Sequence, residues 1–153
     1  MRNRIFVTGL VSAGLLLSAG TVAVADGGSG FTAVPIGTGQ VSKYFEAYAT
    51  KGSDVVMAQN TITPGGFSGW HSHPGVAVLV MLSGELTIYG ERTTGGECRI
   101  HTYTAGQVFI ERPAFEQNAV NTGTVNAVVA VTFFNVPHGA SPRIDRTPPS
   151  NCP

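Results

Sequence analysis

Charge is scarce in this chain. Only 12% of its 153 residues are Asp, Glu, Lys or Arg, nine acidic against nine basic. No basic run or patch occurs, so neither nucleic acid nor an anionic membrane surface is expected as a partner. Cysteine is limited to Cys98 and Cys152. Neither has a second cysteine or, apart from His101, a histidine at ligand spacing, which argues against a cysteine-based metal module. No stretch carries a helical period and no internal repeat is present. Past residue 25, no segment is long and apolar enough to cross a bilayer.

The one long apolar run is at the start. Arg2 and Arg4 precede the apolar, small-residue stretch 5–25, and Ala23-Val24-Ala25 matches a signal-peptidase site. Residues 1–25 therefore read as a signal peptide cleaved before Asp26, of the general secretory kind because no arginine pair is present. A retained anchor is the alternative reading. Removing 25 of the 153 residues leaves 128, one domain's worth, with seven basic against nine acidic residues, a net charge of −2. The expected location is secreted or extracytoplasmic, with no membrane contact after cleavage. In an exported chain, Cys98 and Cys152 read as a disulfide tying the C-terminal tail back to the body. Closing that loop restricts the unfolded chain by roughly 4 kcal/mol.

What is abundant is the punctuation of short strands: 20 glycines and nine prolines. Candidate strands are 41–49, 55–63, 76–82, 85–89, 99–103, 107–111, 117–121 and 126–134. Ser83-Gly84 can supply a positive φ between two paired strands, and Thr94-Gly95-Gly96 and Ala105-Gly106 mark further reversals. This spacing predicts an all-β antiparallel sandwich or small barrel. A flexible lead-in covers 26–34, the barrel 35–137, and a proline-rich extended tail 138–153.

Two of the four histidines stand one residue apart, in His71-Ser72-His73. Alternate strand residues share a face, so both imidazoles would converge on one point, as a divalent metal requires. If the strand continues without a bulge past Pro74-Gly75, Ala77, Leu79 and Met81 share that inward face.

Around this pair the sequence resembles the cupin superfamily. The family's first motif, G-x5-H-x-H-x3,4-E-x6-G, falls on Gly65, His71, His73, Ala77 and Gly84. Its second, G-x5-P-x-G-x2-H-x3-N, falls on Gly106, Arg112, Ala114, Gln117 and Asn121. Alanine thus stands at the family's glutamate position and glutamine at its last histidine position. The resemblance implies a double-stranded β-helix, or jelly-roll barrel, in a single domain. It also implies a divalent metal ion (Fe, Mn, Zn or Ni), held by His71, His73 and the amide oxygen of Gln117. A small-molecule ligand or substrate follows, and a homodimer through a sheet edge is common in the family.

Other residues need weighing. Glu116 is a solvated loop charge unless a one-residue slip turns it into a 2-His-1-carboxylate set. Glu111, beside Arg112, is either a strand-end ion pair or a proton donor. His101 can join the metal or sit on the surface near the disulfide, and His138 is expected to be exposed. Trp70 covers the barrel mouth or caps the core, and Asn121 ends its strand. Three functions remain open: a metal-dependent enzyme of dioxygenase, decarboxylase or isomerase type, a non-catalytic small-molecule binder, and a structural barrel with a vestigial site.

Overall fold

The computed structural model describes residues 32–90, 97–150 and 152. The expected signal peptide, most of the lead-in and the Thr94-Gly95-Gly96 reversal lie outside them. No helix of the described residues is long and apolar enough to cross a membrane.

Nine strands form among the described residues: β1 Ser53–Ile62, β2 His71–Ser72, β3 Ala77–Ser83, β4 Glu85–Gly90, β5 Arg99–Thr104, β6 Val108–Glu111, β7 Gln117–Val120, β8 Ala127–Pro137 and β9 Ile144–Asp145. They build two antiparallel sheets, ordered β1-β8-β3-β6 and β5-β4-β7-β2-β9. The strands follow from side-chain alternation. In β8, Ala127, Val129, Val131 and Phe133 are buried, while the residues between them are only partly so. Ala77, Leu79 and Met81 of β3 and Leu86 of β4 meet them, and this layer is the core. The inward set of β3 is therefore the one expected from the parity of His71 and His73.

Three expectations need correction. Segment 41–49 forms no strand. Gln40 alone makes a bridge, to Gln107, and Val41, Tyr44 and Tyr48 stand exposed. A β-like alternation alone does not make a strand where no neighbouring strand pairs with it. Second, Ser83-Gly84 does not join paired strands, because β3 and β4 belong to different sheets. Gly84 does take a positive φ, 69°, and a β-carbon there would lie 2.5 Å from the Asn126 carbonyl oxygen. The pair is the corner where the chain leaves one sheet for the other, just after a register shift between Met81 and Ser83. Third, the tail is not wholly irregular, since β9 adds to the edge of β2.

Asn121 fixes the far end of β7. Its buried side chain donates to the carbonyls of Ile62 (2.7 Å) and Val125 (2.8 Å) and accepts from the Gly123 amide (2.9 Å). Three loop ends that would otherwise leave polar groups unpaired are tied at one point. The Cys98–Cys152 disulfide forms, with its Cα atoms 5.1 Å apart.

Candidate metal centre

β2 is only two residues long and lies between β7 and β9, where His71 stands opposite Gln117 on one side and Asp145 on the other. His71 and His73 are both buried, and their ring centroids are 4.9 Å apart. Each ring is anchored at Nδ1. His71 Nδ1 donates to the Gly69 carbonyl at 2.8 Å, and His73 Nδ1 donates to the Pro142 carbonyl at 2.6 Å. A carbonyl only accepts, so each Nδ1 carries a proton, and Nε2 is the atom that a neutral ring would offer to a metal. This is the outer-shell arrangement that prepares imidazoles to ligate a metal. Burial pushes the His71 pKa below its ordinary value, against smaller upward pulls from the Gly69 hydrogen bond and Glu111, which favours the neutral, ligating form.

The third group is Glu111, buried at the end of β6, with Oε2 2.9 Å from His73 Nε2. The contact is close but not aligned as a hydrogen bond, so the buried Nε2 has no hydrogen-bond partner. A lone pair facing a carboxylate oxygen needs positive charge between them, either a proton or a metal ion. The donor atoms of His71, His73 and Glu111 all lie within 4.8 Å of one another. Two nitrogens and one carboxylate oxygen suit a first-row divalent cation and leave coordination positions open.

Glu111 was legible only in part. It has the parity of the apolar Phe109 in the same short strand, which places a carboxylate on the inward face. Its partner is His73 rather than the adjacent Arg112. Gln117 faces the same interior, 2% exposed, with its amide nitrogen unpartnered. Glu116 lies outside the cluster, with Oε1 3.8 Å from Arg146 Nε. His101 is exposed and packs on Tyr103 at 4.4 Å, and exposed His138 pairs with Asp54. Trp70 is buried, 7% exposed.

Two small cavities meet at Glu111. One, of about 50 Å³, is lined by His71, His73, Glu111 and apolar core residues such as Leu79 and Phe133. The other, of about 90 Å³, is lined by Gln117 and Glu111 together with Arg99, Arg112, Tyr103 and Phe115. Arg99 lies 5.7 Å from the Phe115 ring centroid, and neither arginine has a carboxylate partner among the described residues.

The backbone matches that of recombinant oxalate oxidase in complex with glycolate with a TM-score of 0.50 at 19% identity, over 71% of this chain and 62% of that one. It matches the formate complex of Lactobacillus farciminis oxalate decarboxylase with a TM-score of 0.50 at 16% identity, over 65% and 33%. The chain has the cupin fold. It spans less than two thirds of the length of either of these cupins. A further match is a Klebsiella pneumoniae protein with a double-stranded β-helix domain, with a TM-score of 0.46 at 21% identity, over 62% of this chain and 72% of that one. No protein-family model matches the chain, and no curated protein does.

Within this cupin barrel, the glycine positions of the two motifs keep their backbone roles. Gly65, Gly84 and Gly106 all have positive φ, and so does Ala114 (59°), which occupies a glycine position of the second motif.

Proposed function

We propose that this chain binds a divalent metal through His71, His73 and Glu111, with the Gln117 amide oxygen as an additional donor, and takes a small anionic molecule beside it. The unpartnered, buried His73 Nε2 facing Glu111 carries this reading. A metal bound there would supply Lewis-acid polarisation of a ligand oxygen. The protein's own groups do the rest. The Gly69 and Pro142 carbonyls hold both rings in the ligating tautomer. The apolar residues around the cluster exclude water, which strengthens electrostatic contacts inside.

The ligand class follows from size and charge. A cavity of about 90 Å³ has room for roughly three water molecules. That is the space of an organic acid of two or three carbons. Arg99 and Arg112, without a carboxylate partner among the described residues, offer positive charge on its wall, and the Gln117 amide can donate to a carboxylate. The glycolate and formate named with the two oxalate enzymes belong to the same size class. A metal-dependent enzyme acting on such an acid is the fuller form of the reading. The space of about 50 Å³ at the cluster supports a second form, a binder without turnover. The disulfide and the leader-like residues 1–25 support export to an oxidising compartment.

Elemental analysis of the 26–153 protein beside a His71→Ala/His73→Ala variant tests the metal. Near-stoichiometric metal in the first and none in the second is expected. No metal in either after reconstitution with Mn(II), Fe(II), Zn(II) and Ni(II) would sink the proposal.

A further inference from the structure

The histidine strand is too short to orient itself. Two residues cannot fix the direction of two side chains unless their neighbours do so. On the side of β2 away from β7, every such neighbour belongs to the tail. The Pro142 carbonyl accepts the His73 Nδ1 proton at 2.6 Å. Ile144 and Asp145 pair with Ser72 and His71. The Arg146 amide donates to the Trp70 carbonyl, and Arg146 Nε donates to Ser72 Oγ, both at 2.9 Å. One five-residue stretch thus grips the segment from Trp70 to His73 at each successive residue.

The same stretch is anchored at a distance. Beyond Arg146 the chain runs to Cys152, whose disulfide partner Cys98 directly precedes β5. β9 and β5 are the two edges of the five-stranded sheet. The disulfide therefore fastens the stretch that follows β9, at one edge of that sheet, to the residue preceding β5, at the other edge.

We propose that the disulfide-fastened tail, through the Pro142 carbonyl and Arg146, is a positioning element for the metal ligands: it sets the His73 tautomer and aims Nε2 at Glu111. The proposal rests on the metal reading for its consequence, weaker metal binding when the tail is released, but its geometry can be read without metal. Pro142 and Arg146 touch neither metal nor ligand in this account and act through Trp70, Ser72 and His73.

The test uses the full chain with Cys98→Ser/Cys152→Ser and, separately, Arg146→Ala. Imidazole nitrogen NMR of the metal-free protein reports which ring nitrogen of His73 carries the proton, and Mn(II) titration reports affinity. In the parent protein His73 is expected to be protonated at Nδ1. Both variants should show a mixture of tautomers and Mn(II) binding weaker by about tenfold or more, as for loss of other outer-shell partners. Should the cysteine variant fail to fold, Arg146→Ala keeps the disulfide and decides the matter. If the parent takes up none of Mn(II), Fe(II), Zn(II) and Ni(II), the metal reading fails and the His73 spectrum alone judges the tail. An unchanged His73 spectrum in the folded variants, with Mn(II) affinity within about twofold wherever the parent binds it, would overturn the proposal.

Discussion

Ala77 and Glu111 face each other directly across the β3–β6 ladder. The first occupies the position where the cupin motif carries its glutamate, and the second supplies a carboxylate from the opposite strand. Directly opposed β-carbons are about 4.5–5.5 Å apart, close enough for a carboxylate from either strand to reach a shared point. The carboxylate beside His73 thus comes from β6 and not from β3.

Moving it to β3 should therefore be tolerated. Glu111→Ala is expected to weaken Mn(II) binding by at least about tenfold. Adding Ala77→Glu to that variant should recover most of the loss. Calorimetric titration of the parent, the single variant and the double variant checks this, and no recovery would mean that the two positions do not address one site.

Gln117 stands opposite His71, and its amide is the weakest donor offered to the site. Gln117→His should tighten Zn(II) or Mn(II) binding, because imidazole is the better ligand. Unchanged affinity would show that position 117 does not point at the ion.

Arg99 and Arg112 have no partner carboxylate among the described residues and line the larger of the two cavities. Replacing both by Gln should weaken glycolate binding to the Mn(II)-loaded protein by about tenfold, the worth of a charge-assisted hydrogen bond. Glycolamide, its neutral counterpart, should be indifferent to the change. Equal glycolate affinity in the parent and the variant would remove the arginines from the site.

Much of the barrel was legible because β3, β6 and β8 alternate buried and half-buried residues, and a period of two is a strong signal over the seven residues of β3 or the eleven of β8. The failures share a cause. β2 and β9 are two residues long and carry no period at all, so only tertiary pairing defines them. Segment 41–49 carries a period and finds no partner. At the site, the histidines announced themselves through spacing. Glu111 did not, because its role depends on which strand lies beside β3, and that is a property of topology. The Pro142 carbonyl has no sequence signature, since any residue offers one.

Ala114 pays for its place in the second motif with a positive φ that a side chain resists. Its amide donates to the His73 carbonyl at 2.8 Å, so the conformation cannot simply relax. Ala114→Gly should stabilise the protein by about 0.5–1 kcal/mol. That corresponds to roughly 2–5 °C in a thermal melt. A lower melting temperature would contradict the account.

Asp54 and His138 form an exposed pair at 2.9 Å, and each moves the other's titration. The hydrogen bond to His138 lowers the Asp54 pKa from 3.8, and the hydrogen bond to Asp54 raises that of His138 from 6.5. The histidine's contribution to stability is complete below pH 6.5 and fades as pH rises through its higher folded value. The aspartate's is complete above 3.8 and fades as pH falls through its lower folded value. The pair is thus at full strength only between these limits. Proton NMR should find His138 titrating above 6.5, and Asp54→Asn should return it toward that value.

The pairing of Ser53 with Pro137 at one end of the β1–β8 ladder has a consequence in time. β8 is a central strand of its sheet, flanked by β1 and β3, and its last residue is Pro137. During synthesis β1, whose one partner strand is β8, must wait unpaired until β8 has been made. At about 5–20 residues per second, the interval from Ser53 to Pro137 lasts several seconds, an eternity for an aggregation-prone edge. A chain built this way gains from a carrier that keeps it unfolded until it is complete, and threading it through a translocation pore before folding would serve that need.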